Sequence, residues 1–244
     1  MNLKGKHIVI TGSAIRVGKI IALTLAKKGT NIAIHYNTSE VEAKQTREEV
    51  EAFGVETLLL QADLSKTEDL QKMRDLVMSR WKKVDVLINN AAIFYKTPFL
   101  ESTEEDFDDF MDVNLKAPYL LSKYFGEMMV QQKSGKIINI ADVSAFRPWA
   151  NFVPYCISKA GVVALTKGLA KALAPYVTVN AVAPGTVLLA EDADPGMEKS
   201  LLERTPLQRI GSPIDIANTV AFLLEGTNFI TGEVIQVDGG RSLV

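Results

Sequence analysis

The chain has 244 residues, 47% hydrophobic and 23% charged, the composition of a folded domain with one substantial core. A net charge of −2 and a pI near 5.8 offer no basic field for nucleic acid, and no apolar run approaches the roughly 18 residues of a membrane span. The one cysteine, Cys156, allows no internal disulfide and points to a reduced, cytoplasmic setting.

Met1–Lys6 runs straight into an apolar strand without an h-region or a small-residue cleavage site, so no signal peptide is expected. A catalytic thiol is disfavoured, because the only histidines, His7 and His35, lie early and near strands.

His7–Thr11 reads as a short strand buried on both faces, as in parallel sheets. Thr11-Gly12-Ser13-Ala14-Ile15-Arg16-Val17-Gly18 follows, and then an amphipathic helix over about 19–28 that Gly29 ends. Strand, glycine turn and helix form the layout of a dinucleotide pyrophosphate site, with the helix N-terminus facing negative charge. Arg16 stands where the middle glycine is usual.

Asn31–His35 is the second predicted strand. Past it runs His35-Tyr36-Asn37-Thr38-Ser39, with no acid before Glu40. An NAD site usually places a carboxylate here for the ribose 2′-hydroxyl, so this uncharged, hydroxyl-bearing corner favours NADP(H).

Further on, the pattern predicts a helix over Glu40–Phe53, a strand over Glu56–Gln61 and a helix over Thr67–Trp81. Asp63, at the end of the third strand, could meet an adenine amino group or cap the next helix with Ser65 or Thr67. The fourth strand, Val84–Asn89, runs into Asn90-Ala91-Ala92. Small residues there let backbone pass close to a flat ligand, and asparagines can tie strands together without charge.

Thr103–Val130 reads as one long or two joined helices, with a kink or junction at Pro118. Asn114 sits near a freed carbonyl that could hold a water, or is a locally bonded polar residue. Lys136–Ile140 is the fifth strand and delivers Asp142. Residues 188–208 form a polar excursion, read as a lid. The sixth strand, Thr178–Ala183, leads to Pro184-Gly185-Thr186. A helix over Pro213–Leu224 and a strand over Glu233–Val237 end the pattern, before Asp238-Gly239-Gly240.

Tyr155 and Lys159 lie four residues apart on the helix predicted over Pro154–Leu173, and so share one face one turn apart. An ammonium beside a phenol favours the phenolate and lowers the tyrosine pKa toward neutrality, which suits proton transfer. Seven short strands alternating with helices give one Rossmann-type, doubly wound parallel sheet in a single domain over 1–244. Gly12, Asp63, Asn90, Asp142 and Pro184-Gly185 all fall at the strands' carboxyl ends, where such sheets bind ligands.

Over essentially its whole length the chain resembles the short-chain dehydrogenase/reductase family. The matching residues are Thr11-Gly12…Gly18, Asp63, Asn89-Asn90-Ala91, Asn114, Tyr155-x-x-x-Lys159, Pro184-Gly185 and Asp238-Gly239-Gly240. The resemblance implies that Tyr155 gives and takes the proton. It implies that Lys159 binds the nicotinamide ribose and lowers the Tyr155 pKa, and that Asn114 holds a relay water. Cofactor contacts are expected from Gly12, Arg16, Val17, Gly18, His35, Tyr36, Asn37, Ser39, Asp63, Leu64, Asn90, Ala91, Pro184, Gly185 and Thr186. A homotetramer or homodimer acting on a small molecule is also implied.

The chain departs from the family's pattern where a serine usually stands thirteen residues before the tyrosine; that place is Asp142. Together with Arg16 and Phe94, Asp142 resembles the pteridine reductase branch. There the aromatic ring stacks on the pterin, the arginine reaches phosphate and substrate, and an Asp–Tyr–Lys set relays protons. Arg16, Phe94, Asp142 and Tyr155 are therefore expected at the substrate. Ala92 stands where those enzymes commonly carry a serine. Two alternatives remain open: a carbonyl reductase of the 3-oxoacyl-thioester or sugar type using Ser144, and a catalytically idle dinucleotide sensor. The acidic excursion (Glu191, Asp192, Asp194) argues mildly against an acyl-carrier-protein partner.

Overall fold

The computed structural model describes residues 1–188 and 195–244. Its seven strands are β1 His7–Ile10, β2 Asn31–Tyr36, β3 Thr57–Gln61, β4 Val86–Asn89, β5 Gly135–Ile140, β6 Val177–Pro184 and β7 Val234–Val237. They form one sheet in the order β3-β2-β1-β4-β5-β6-β7, with every pairing parallel. This is the expected doubly wound sheet.

Alternation along the strands divides the core between the two faces. Ile8, Ile10, Ile32, Ile34, Val86 and Ile88 join one apolar cluster, while Val9, Ala33 and Leu87 join another on the opposite face. Helices α1 Arg16–Ala26, α2 Glu40–Glu51 and α8 Pro213–Glu225 cover the first face. Helices α3 Thr67–Trp81, α5 Ala117–Gln131 and α6 Val153–Ala172 cover the second. The two remaining helices among the described residues are α4 Glu104–Met111 and α7 Pro195–Glu203.

The expected break at Pro118 falls slightly earlier. A π-turn over Asp112–Lys116 joins α4 to α5, and Pro118 lies in the first turn of α5, where its missing N–H costs nothing. Of the polar excursion, residues 189–194, including Glu191, Asp192 and Asp194, lie outside the described residues; Pro195–Glu203 is helical.

Two buried polar assemblies hold the carboxyl ends of the strands. The Asn89 side-chain amide donates to Asn139 Oδ1 at 2.8 Å and to Ser122 Oγ at 3.1 Å, and Asn139 donates to Thr166 Oγ1 at 2.9 Å. This chain of bonds ties α5, β4, β5 and α6 together. The second assembly surrounds His35. Its Nδ1 accepts the Gly12 N–H at 2.9 Å, and its Nε2 bonds the Ala62 carbonyl at 3.1 Å. A carbonyl only accepts, so Nε2 carries the proton and the ring is neutral. The backbone of His35 also accepts from Ser13 N–H at 3.0 Å.

His35 was expected to contact cofactor. It is instead buried beneath the glycine turn and braces that turn against the ends of β2 and β3. Burial lowers its pKa to about 4. The unfolded chain, with an ordinary histidine, takes up a proton below about pH 6.5, so this stabilisation is complete above that pH and fades as the pH falls toward 4. In urea titrations, the stability advantage of the native chain over His35→Asn should shrink by about 3 kcal/mol between pH 6.5 and 4. A pH-independent difference would show that the imidazole is not held neutral.

Candidate active site

The order of the sheet reverses between β1 and β4, and the two strand ends open there into a cleft. The chains meet almost without side chains. Gly12 has a φ of +61°, and a Cβ on it would lie 2.9 Å from Ala91 Cα; a Cβ on Gly18 would collide with the Gly12 carbonyl. Thr11 Oγ1 accepts from the Asn90 and Ala91 N–H groups at 2.9 and 3.0 Å, and the Asn90 amide donates to the Thr11 and Gly12 carbonyls at 2.9 and 3.0 Å. This close packing leaves the N-terminus of the 11-residue helix α1 facing the cleft.

Arg16 takes a left-handed φ of +53°. The backbone thus keeps the conformation that suits glycine although the side chain is arginine, at a cost of about 1 kcal/mol. The exposed guanidinium-bearing side chain lines the cleft.

The cleft measures about 450 Å³ and gathers most of the expected site residues. Gly12, Arg16, Val17 and Gly18 line one end; Asn90, Ala91 and Phe94 line the second stretch; Asp142, Tyr155 and Lys159 form the centre; and Pro184, Gly185 and Thr186 close the far wall. A helix N-terminus, a close-packed glycine turn and a long cleft across the switch point fit an extended dinucleotide.

The other expected site residues lie off this cleft. Asn37 and Ser39 stand past β2, the first exposed and the second partly so, while Tyr36 and Leu64 are buried. Asp63 turns onto its own loop, accepting from Ser65 N–H and Oγ at 3.0 and 2.7 Å and pairing with Lys66. This is a local turn bond rather than a helix cap, since the N-cap of α3, Lys66, has no side-chain capping hydrogen bond.

Asn114 is buried in the π-turn. Its Oδ1 accepts from Ile93 N–H at 2.9 Å, and its amide donates to the Ile93 carbonyl and to Ser158 Oγ at 3.1 and 3.2 Å. It anchors the segment that carries Phe94 and does not line the cleft.

Asp142 ends the turn after β5, where its Oδ1 accepts from Ser144 N–H at 2.7 Å and its Oδ2 accepts the Tyr155 hydroxyl at 3.0 Å. Lys159 is buried and donates to the Ile140 carbonyl at 2.9 Å. Its Nζ lies 5.8 Å from the centre of the Tyr155 ring.

The Tyr–Lys spacing predicted a tyrosine pKa drawn down by the ammonium. The opposite holds. Burial pushes the Tyr155 phenol well above its ordinary value, and the neighbouring Asp142 carboxylate pushes it further. Burial also raises Asp142, against the opposing Ser144 N–H and the Lys159 charge, and it lowers Lys159 to about 8. In a low-dielectric site desolvation outweighs an ammonium that makes no direct bond to the phenol. Tyr155 therefore keeps its proton and donates it in the hydrogen bond to Asp142.

Aromatic rings wall the centre. Phe94 stacks on Phe152, with centroids 4.8 Å apart and planes 1° apart, and meets the Tyr155 ring edge-on at 4.8 Å. Trp149 lies at 6.3 Å from Phe94 and 6.4 Å from Tyr155. Phe94 is nevertheless 55% exposed, so it serves the cleft more than the core. Trp149 and Phe152 were not anticipated, although their place between Asp142 and Tyr155 was a legible signal. Ser144 is completely buried and off the cleft, so it cannot replace the missing serine without the turn moving.

Residues 12–242 match a family profile described as enoyl-(acyl carrier protein) reductase. The 3-oxoacyl-[acyl-carrier-protein] reductase FabG of Staphylococcus epidermidis is 38% identical over 96% of this chain and 98% of its own length. The 3-oxoacyl-[acyl-carrier-protein] reductase of Synechocystis is 35% identical over 98% and 97%. Among solved structures, acetoin dehydrogenase YohF from Salmonella typhimurium superposes with a TM-score of 0.89 at 32% identity, covering 98% of this chain and 97% of that one. These names agree with the carbonyl-reductase alternative rather than with the pteridine reductase branch. With a seven-stranded parallel sheet, a glycine turn at its switch point and full-length relatives of this kind, the chain belongs to the short-chain dehydrogenase/reductase family and is an oxidoreductase of that family.

Proposed function

We propose that the protein is an NADPH-dependent reductase of a planar C=N-bearing heterocycle of the pteridine type. The observation that carries this reading is the Tyr155–Asp142 hydrogen bond, set beside the exposed ring of Phe94. A bound nicotinamide supplies the hydride. Tyr155 gives its proton to the ring nitrogen of the substrate, and the phenolate regains a proton from solvent by way of its hydrogen bond to Asp142. A carboxylate is a poor neighbour for the oxyanion of a reduced ketone, but a good acceptor for an N–H or a relayed proton. The free area of Phe94, with Trp149 nearby, offers a stacking surface for a flat ring.

The second reading, reduction of a 3-oxoacyl thioester, is favoured by the names of the relatives, which cover the whole chain. Against it stand the carboxylate at position 142 and the burial of Ser144 away from the cleft. Preference for NADPH over NADH rests on the absence of a carboxylate at Asn37-Thr38-Ser39, together with Arg16 at the cleft.

Oxidation of NADPH with a dihydropterin, with dihydrofolate and with an acetoacetyl thioester separates the two readings. Turnover of the pterins alone, and its loss by about a hundredfold or more in Asp142→Ser, is the expected result. Turnover of the thioester alone overturns the pteridine reading. Full pterin activity in Asp142→Ser removes the role of Asp142. With NADH in place of NADPH, kcat/KM should fall at least about tenfold, the worth of one lost charge-assisted contact; equal values contradict the cofactor assignment.

Lys159, held down to about 8, is an ammonium below that pH and neutral above it. Because proton delivery to the substrate needs that positive charge nearby, kcat/KM for reduction is expected to decline above about pH 8. A profile flat to pH 10 would place the Lys159 pKa near the ordinary lysine value.

A further inference from the structure

Beside the cleft lies a second cavity of about 540 Å³, and Arg147, Arg204 and Arg241 line it. Trp149 belongs to the walls of both cavities. Asp142 and Thr186 line the cleft, while their partners in chain and space, Val143 and Arg241, line the second cavity; Arg241 Nη1 donates to Thr186 Oγ1 at 3.4 Å. The two spaces are therefore neighbours across one indole and one turn.

The three guanidinium groups have no ion-pair partner among the described residues. Arg147 Nη1 donates only to the backbone carbonyls of Arg241 and Ser242, at 3.4 and 3.3 Å. Glu203 and Val244 also line the cavity, and Asp142 and Asp238 act on Arg241 from a distance without neutralising it. Partial burial and repulsion by Arg204 both lower the Arg241 pKa. Arg241 is half-buried, while Arg147 and Arg204 are exposed; like charges gathered along one cavity wall repel, and an oxyanion bridging them relieves that repulsion. Planar arginine forks also suit carboxylate and phosphate better than any other ligand.

We propose that the arginine cavity is a subsite for an anionic tail of the substrate, with the planar head in the cleft and a carboxylate or phosphate reaching past Trp149 to Arg147, Arg204 and Arg241. The assignment of the tail rests on the pteridine reading; the anion site itself does not.

Two measurements separate these. In a Trp81→Phe background, where Trp149 is the remaining tryptophan, inorganic phosphate added at constant ionic strength should give a saturable fluorescence change that Arg147→Gln/Arg204→Gln abolishes. Absence of a saturable change, or one that survives both substitutions, overturns the site. The second measurement is the ratio of kcat/KM for dihydrofolate, which carries a glutamate tail, to that for dihydrobiopterin, which has no anionic group. It should fall about tenfold in the double arginine variant, through KM, as expected for loss of charge-assisted hydrogen bonds. An unchanged ratio alongside phosphate binding makes the cavity a free-anion site and overturns the tail assignment. No turnover of either pterin removes the pteridine reading and the tail with it, while the phosphate titration still decides the anion site.

Discussion

The site depends on two strand ends meeting with almost nothing between them. At the point where the sheet order reverses, the Gly12 turn rests on Ala91, Thr11 and Asn90 exchange hydrogen bonds, and Gly18 packs against the Gly12 carbonyl. Any larger side chain at Gly12 or Gly18 would force these segments apart and change where helix α1 points. His35 supports the same contact from below, spending the Gly12 N–H on an imidazole rather than leaving it for a ligand. The glycine-turn side of the cleft is thus a closely packed backbone surface, with Arg16 as its charged side chain.

At the centre, burial sets the chemistry. Tyr155, Asp142 and Lys159 all sit in a poorly solvated wall, and each is moved toward its neutral form. Removing water from an acid–base set shifts every member, and the direct Tyr155–Asp142 bond then decides which pair exchanges a proton. An Asp where the family usually has a serine changes the kind of group that can be stabilised next to the phenol. Phe94 and Trp149 line the cleft, and Phe152 stacks on Phe94.

The full-length similarity to 3-oxoacyl reductases and the local departure at Asp142 act on different parts of the molecule. Full-length similarity of this kind marks a common fold, which many reactions can use. Asp142, Phe94 and Trp149 line the cleft itself, and the arginine wall stands in the neighbouring cavity.

The amino-acid sequence alone determined the sheet, its strand sequence, and the convergence of Gly12, Asn90, Asp142 and Pro184 on one edge. These follow from short continuous apolar runs, from the 3.6-residue periodicity of the helices and from glycine placement, which are local signals. Helix Thr67–Trp81 was read to the residue for the same reason. Only the tertiary structure decided the rest. It put His35 under the turn instead of at a ligand, folded Asp63 onto its own loop and used Asn114 to anchor Ile93. It also moved the kink or junction expected at Pro118 to a π-turn over Asp112–Lys116, and reversed the direction of the Tyr155 shift. Each of those outcomes depends on which distant segment removes water from a side chain or offers it a partner, and spacing along the chain carries no record of that.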